Sequence, residues 1–454
     1  MENRTRLFVA SCAALVATAM AFSICTDIMG DLAAAFKLSR AEAGAAVAWG
    51  AIGGVAVLFL GGALLDFVGI GTTMWLSAAA HALGLGLVIG AWDFWSLAVG
   101  WLFLAVASGL VQAAISPLAT TLYRDRKTQI LNYLHAWWPG GLILGGLLAY
   151  GFSEALRLAK ASQALLDASW QLKMALVFIP VAVYALLMLG QKFPKTERVQ
   201  AGVSAPAMFR EALRPMFLLL VFCMLLTASI ELGPNRWVGV FIQDMIGIRG
   251  VLLLVYTSGL MFGLRFLAGP LARLLSPLGI LIASSVVAGA GLLCLSYSAT
   301  GLTVFLSATV FGIGVTYFWP TMLGVTSERF PKGGALALGI MGAAAGLFLG
   351  YVTIPGMGKL HDHYTIRGLP DAVRAKAVVD GRLDDAAVKE LGEGERAVVE
   401  GAKAAAARTT FRIVAALAAV LVLVFGSIYF YDKARGGYRQ EVLAGAGGPP
   451  ARDM

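Results

Sequence analysis

Twelve apolar runs, each long enough to cross a bilayer, constrain this chain more than any motif in it. About 20 such residues in a helix span the hydrocarbon core, and only a helix or a closed barrel satisfies its own backbone polar groups there. The runs lie near residues 7–29, 43–65, 71–90, 94–121, 131–152, 172–191, 215–243, 250–272, 277–298, 301–326, 334–358 and 410–431. Charged residues make up 13% of the 454-residue chain, against about 25% in soluble domains. An all-α integral membrane protein is therefore expected.

A polar stretch carrying Pro194, Pro206 and Pro215 splits the runs into two sets of six. The expected layout is an N-terminal bundle (1–191), a linker (192–214), a C-terminal bundle (215–431) with an insertion at 359–408, and a tail (432–454). Loop charge gives the orientation. Arg4, Arg6, Arg124, Arg126, Lys127, Lys192, Lys195, Arg198 and further basic residues gather on one side, whereas the opposite short loops hold Lys37, Arg40, Arg157, Lys160, Lys173 and Arg249. The positive-inside rule then puts both termini in the cytoplasm of a multi-pass protein of the plasma or inner membrane. In the insertion nine basic residues balance nine acidic ones, so it stands outside that count. Its Ala-rich runs, split by Gly381, Gly392, Gly394 and Gly401, read as short solvated helices capping the outer mouth.

Composition also removes several classes of function. The net charge of +9 sits in short loops and not in a basic stripe, so no nucleic-acid partner is expected. Cys12, Cys25, Cys223 and Cys294 lie singly in apolar runs and read as packing residues. His361, Asp362 and His363 lack further ligands and read better as a solvated helix end than as a metal site. No Gly-Lys-Ser/Thr phosphate loop, HExxH helix or nucleophile elbow occurs, so neither ATP-driven pumping nor familiar hydrolase chemistry is expected, and no cofactor is implied. Arg4 and Arg6 before the first run imitate a signal peptide, but the spans that follow favour an uncleaved first span.

Gly62, Leu64, Asp66 and Gly69 match the signature loop Gly-x-Leu-x-Asp-Arg-x-Gly of the major facilitator superfamily, with Phe67 where its Arg would be. Gly269 to Arg273, before Gly279, echo the loop in the second half. The resemblance implies the major facilitator fold, 12 transmembrane helices in two pseudo-symmetric six-helix bundles that rock about a mid-membrane site. Asp27-Ile28-Met29, Asn132 to His135 and Arg265 to Gly269 further resemble the fucose:proton symporter branch. In that branch a first-span carboxylate, matching Asp27, is implicated in proton coupling. A second, on the fourth span, falls on Gln112, which cannot titrate but suits a sugar hydroxyl. The same resemblance has the first, fourth, seventh and tenth spans line the cavity, which favours Tyr317 and Trp319 over Trp137 and Trp138 as sugar-facing rings.

Ionisable groups inside a bilayer are costly, so each one is a candidate site. Asp27 sits among small and apolar residues, a setting suited to loading and releasing a proton; a helix-end carboxylate in outer water is the competing reading. In the seventh span, Gly233-Pro234 is expected to break the helix, with Glu231 and Asn235 binding substrate and Arg236 in gating. An ion pair between Glu231 and Arg236 competes with that reading. Arg265 has no nearby acid in sequence and is expected to pair across helices in conformational coupling. Asp66 reads as a hinge-side hydrogen-bond acceptor, His81 as a packing histidine and His135 as an ordinarily solvated one. The expectation is a monomeric secondary transporter of a small polar solute, a sugar, with proton symport. Two readings rival it: antiport export of an amphipathic compound, on the likeness of Trp138 to Gly141 to a Gly-Pro-rich antiporter motif, and a solute-sensing receptor that does not transport.

Overall fold

A computed structural model describes residues 3–246 and 251–443. Among the described residues eleven helices are long and apolar enough to cross a membrane, and a shorter apolar one, α8, makes twelve: α1 Asn3–Ala35, α2 Arg40–Val68, α3 Ile70–Ile89, α4 Phe94–Leu122, α5 Lys127–Leu158, α6 Ser169–Met188, α7 Pro215–Ile246, α8 Val251–Arg265, α9 Ala268–Tyr297, α10 Gly301–Arg329, α11 Pro331–Gly368 and α12 Glu393–Ala434. α8 alone, at 15 residues, rises only about 22 Å. Residues 268–275 prolong it, because α9 is broken at Ser276 (φ 60°, ψ 162°) just before Pro277. The Ser276 hydroxyl accepts from the Gly279 N–H at 3.3 Å, a side-chain cap followed by Pro at the first helical position. α2 passes into α3 through one residue, Gly69, whose φ of 88° suits a residue without a side chain.

The N-terminus, the linker and the tail share one end of the molecule, called here the terminal face; the 359–408 segment lies at the other, the insertion face. Asn3 donates to the Lys192 carbonyl at 3.2 Å, and the Gln440 amide donates to the Arg124 carbonyl at 2.8 Å. The two bundles meet mainly in the terminal half. A Cβ on Gly62 of α2 would come within 3.0 Å of the Gly339 Cα on α11, so the backbones touch there. α5 packs on α8 through Trp137 against Phe262 and Tyr133 against Phe266, with ring centroids 5.5 and 5.8 Å apart. It meets α10 through Asn132, which donates to Thr321 at 3.2 Å. Toward the insertion face, the cross-bundle aromatic contact among the described residues is Arg236 over the Phe22 ring, at 4.8 Å. The bundles are thus closed at the terminal face and splayed toward the other.

Three expectations are corrected. α7 runs unbroken through Gly233-Pro234. One Pro removes a single hydrogen bond from a long packed helix, and Gly233 serves instead to admit Thr353 and Met357 of α11, each within 2.9 Å of where a Cβ would sit. The backbone irregularity is on α11, a π-helical turn at Leu349–Thr353. The insertion is not only short solvated helices. α11 continues to Gly368, a two-stranded hairpin pairs Val378 with Leu383, and α12 begins at Glu393 and takes Gly394 and Gly401 inside it. Its apolar side chains Leu369, Val373, Ala377, Val388, Leu391, Val399 and Ala402 form a small separate core. Lys173, counted above as a loop charge, is buried on α6.

Replacing Gly339 by Leu should push α2 and α11 apart, an overpacking cost of about 1–3 kcal/mol. The expected readout is faster maleimide labelling of a cysteine placed at Ala335 than in the same background with Gly339 intact.

Candidate functional site

The centre of the molecule is organised by an arginine fork. Arg265, at the last residue of α8 and 2% exposed, donates from Nε to the Thr316 carbonyl at 2.8 Å, from Nη1 to the His135 carbonyl at 2.6 Å and from Nη2 to Glu231 Oε1 at 3.3 Å. The two carbonyls are available for a sequence reason. A helical C=O normally accepts from the N–H four residues on, and here those residues are Pro139 and Pro320, which have none. The Arg planar fork suits three separated acceptors. One side chain thereby joins α8 to α7 and α10 of its own bundle and to α5 of the other. Glu231 is 3% exposed, and its Oε2 has no hydrogen-bond partner.

Beside the fork, a cleft between the bundles is lined by Leu58, Gln112, Ser116, His135, Trp319, Leu323, Leu338 and Gly342. Gln112 and Ser116 are one turn apart on α4; the Gln112 amide donates to Ser108 at 3.2 Å, and Ser116 Oγ lies 3.3 Å from His135 Nε2. The structure therefore brings Gln112 and Trp319 together and adds Ser116 and His135. His135 is buried and not solvated. Tyr317 turns the other way: its hydroxyl donates to the Leu264 carbonyl at 2.7 Å and its ring packs with Ile280. Asn235 is half-buried, one turn beyond Glu231. Glu231 pairs with Arg265 and not with Arg236.

Asp27 is not desolvated. Its side chain is 37% exposed and sits 2.7 Å from Lys173 Nζ. Asp66, in contrast, is buried at the terminal face, where its carboxylate accepts from Thr196 Oγ1 and Arg198 Nε of the linker, each at 2.5 Å. The guanidinium absent from the 62–69 loop is thus supplied from the linker. Neighbouring bonds tie the same face together. Lys127 pairs with Glu197 at 2.6 Å, Thr128 donates its N–H and hydroxyl to Glu328 at 3.0 and 2.7 Å, and Tyr438 of the tail donates to the other Glu328 oxygen at 2.5 Å. Burial and the adjacent Glu328 carboxylate push the Tyr438 hydroxyl well above the usual tyrosine pKa. His361 Nε2 lies 3.2 Å from Asp244 while His363 stacks edge-on with Tyr364, and no cluster of metal-ligating side chains occurs among the described residues. His81 is buried, 3.0 Å from the Tyr184 hydroxyl.

The Major Facilitator Superfamily profile matches residues 7–355. The chain belongs to the major facilitator superfamily. It is a multi-pass membrane transporter for small molecules and not an enzyme. Its fold is similar to that of the E. coli fucose:proton symporter FucP, with a TM-score of 0.66 at 18% identity over 92% of this chain and 99% of that one. It is also similar to the proton:xylose symporter XylE bound to 6-bromo-6-deoxy-D-glucose, with a TM-score of 0.64 at 13% identity over 93% and 95% of the two chains. A bacterial homolog of the human lysosomal transporter Spinster, in an inward-facing and unoccupied conformation, gives 0.62 at 14% identity over 99% and 100%. No curated protein matches the chain.

Arg265→Ala would leave Glu231 and two carbonyls buried without a donor, and removal of one partner of a buried pair costs about 3–5 kcal/mol. A lowered melting temperature is expected, with Arg265→Lys recovering only part because it lacks the fork. Asp66→Ala should likewise strand the Arg198 guanidinium, and accelerated proteolysis of the linker is the expected result.

Proposed function

We propose that this transporter moves a small neutral polyhydroxy solute, a sugar or polyol, with proton symport. The observation that carries this reading is the lining of the inter-bundle cleft. Gln112 offers amide donors and an acceptor, Ser116 a hydroxyl, His135 an imidazole and Trp319 a flat indole face. Such a set exchanges hydrogen bonds with hydroxyls and covers an apolar ring face, and the lining side chains themselves include no carboxylate, ammonium or guanidinium, the nearest being the Arg265 guanidinium of the adjoining fork. The fold likeness to symporters of fucose and xylose supports the same class.

With the basic loops on the cytoplasmic side, the terminal face is cytoplasmic and the molecule is outward-facing. Rocking toward the inward-facing state then requires breaking bonds that join the bundles there, among them Lys127 to the Ser327 carbonyl, Thr128 to Glu328, Asn132 to Thr321, and Arg265 to the His135 carbonyl. Asp66, Arg198 and Glu197 hold the linker across that face, which gives Asp66 its part in gating.

Counterflow in proteoliposomes tests the solute class. Preloaded D-xylose, L-fucose and other monosaccharides should drive uptake of their labelled forms, and Gln112→Ala should raise the half-saturating concentration roughly tenfold, the equivalent of one hydrogen bond of about 1.4 kcal/mol. Absence of exchange with every member of the panel, in protein shown to be folded, rejects the sugar.

A further inference from the structure

We infer that the coupling proton is carried by Glu231 and not by Asp27, an assignment that rests on the reading as a proton symporter. The two carboxylates differ in what already holds them. Asp27 has a full ammonium partner, Lys173, at 2.7 Å, and its half-exposed side chain lies toward the splayed side of the bundles. Glu231 is enclosed, its contact with Arg265 is the longer one at 3.3 Å, and Oε2 makes no close hydrogen bond, the Trp319 main-chain N–H being the other group that faces the carboxylate. Among the described residues it is the carboxylate buried between the two ends of the bundle; Glu197, Glu211, Glu328 and the side chain of Asp66 are buried at the terminal face.

The groups around it fit the role. α8 presents Arg265, α10 presents Tyr317 with its hydroxyl committed to Leu264, and α5 presents His135, whose ring is turned to Ser116. α11 brings the uncharged Thr353, bonded to Ser229 at 2.7 Å, and α12's Arg412 is turned to Ser296 of α9. On α7 itself, Arg236 is directed outward to Phe22. Arg265 is thus the charged group that Glu231 answers to.

Protonation forms an O–H bond at Oε2 with a proton taken from water on the insertion side, and no electrons change hands. It also removes the anion facing Arg265, leaving a buried guanidinium with two main-chain carbonyls and no counter-charge. A solute oxygen entering the adjoining cleft and accepting from that guanidinium relieves the imbalance, so proton and solute each favour the binding of the other, by the reciprocity that any such coupling must obey. Once the bundles have rocked, the same O–H bond breaks and the proton leaves to water at the terminal face, restoring the ion pair.

The test needs no solute. The full chain is reconstituted in phosphatidylethanolamine and phosphatidylglycerol liposomes, and pH-difference infrared spectra are recorded through the carboxylic C=O region. Wild type and Asp27→Asn should share a titrating band that Glu231→Gln lacks. A band that persists in Glu231→Gln, or vanishes in Asp27→Asn, overturns the assignment. Glu231→Asp keeps a carboxyl at the position and covers the case in which the Gln variant does not fold: a displaced band supports the assignment, and an unmoved one overturns it. Since neither arm involves sugar, failure of the monosaccharide panel and failure of this assignment are read separately.

Discussion

The arrangement of the two bundles depends on what it takes to keep one guanidinium charged in a membrane interior. Arg265 cannot shed its proton and carries five donors. It must be met by acceptors, and water is excluded. Three helices other than its own supply them, one from the opposite bundle. A stiff polar fork in a low-dielectric interior is costly to misalign. The requirement therefore fixes the relative height of α5, α8 and α10 more firmly than apolar contact alone, which tolerates sliding.

A second, larger polar layer closes the terminal face, and it has another character. Asp66, Arg198, Lys127, Glu197, Glu328 and Tyr438 are joined side chain to side chain. The linker and tail enter it as structural parts and not as tethers. Between this layer and the fork, the Gly62 to Gly339 approach draws α2 and α11 together. The closed end is thus held by polar bonds in two layers with close backbone packing between them, while the splayed end has far less to hold it.

Most of the architecture was legible in the sequence because the bilayer imposes a length on every span, and the break between the eighth and ninth spans was readable at Ser276-Pro277. The expected break in α7 failed because Gly233-Pro234 was read as a joint, when its small size serves contact with α11. Tyr317 and Trp319 were expected in one cleft, yet residues two apart on a helix point about 200° from each other; Trp319 faces the cleft and Tyr317 the α8 to α9 side. The partners of Arg265 lie 34, 51 and 130 residues away, and two of them are main-chain atoms that no search of side-chain types would reveal. A signal did exist in the spacing of Pro139 and Pro320, each four residues past a carbonyl that would need another donor.

That spacing has a consequence for how the protein tolerates change. Since two of the fork's acceptors belong to the backbone, replacing the side chains of His135 or Thr316 leaves both oxygens in place. The vulnerable positions are Pro139 and Pro320, where any other residue restores an N–H that competes with the arginine for its own acceptor. Sequence drift at His135 and Thr316 is therefore buffered, while the bond to the opposite bundle is exposed to mutation at Pro139 and the bond within the arginine's own bundle to mutation at Pro320, neither of them a hydrogen-bond partner of the arginine.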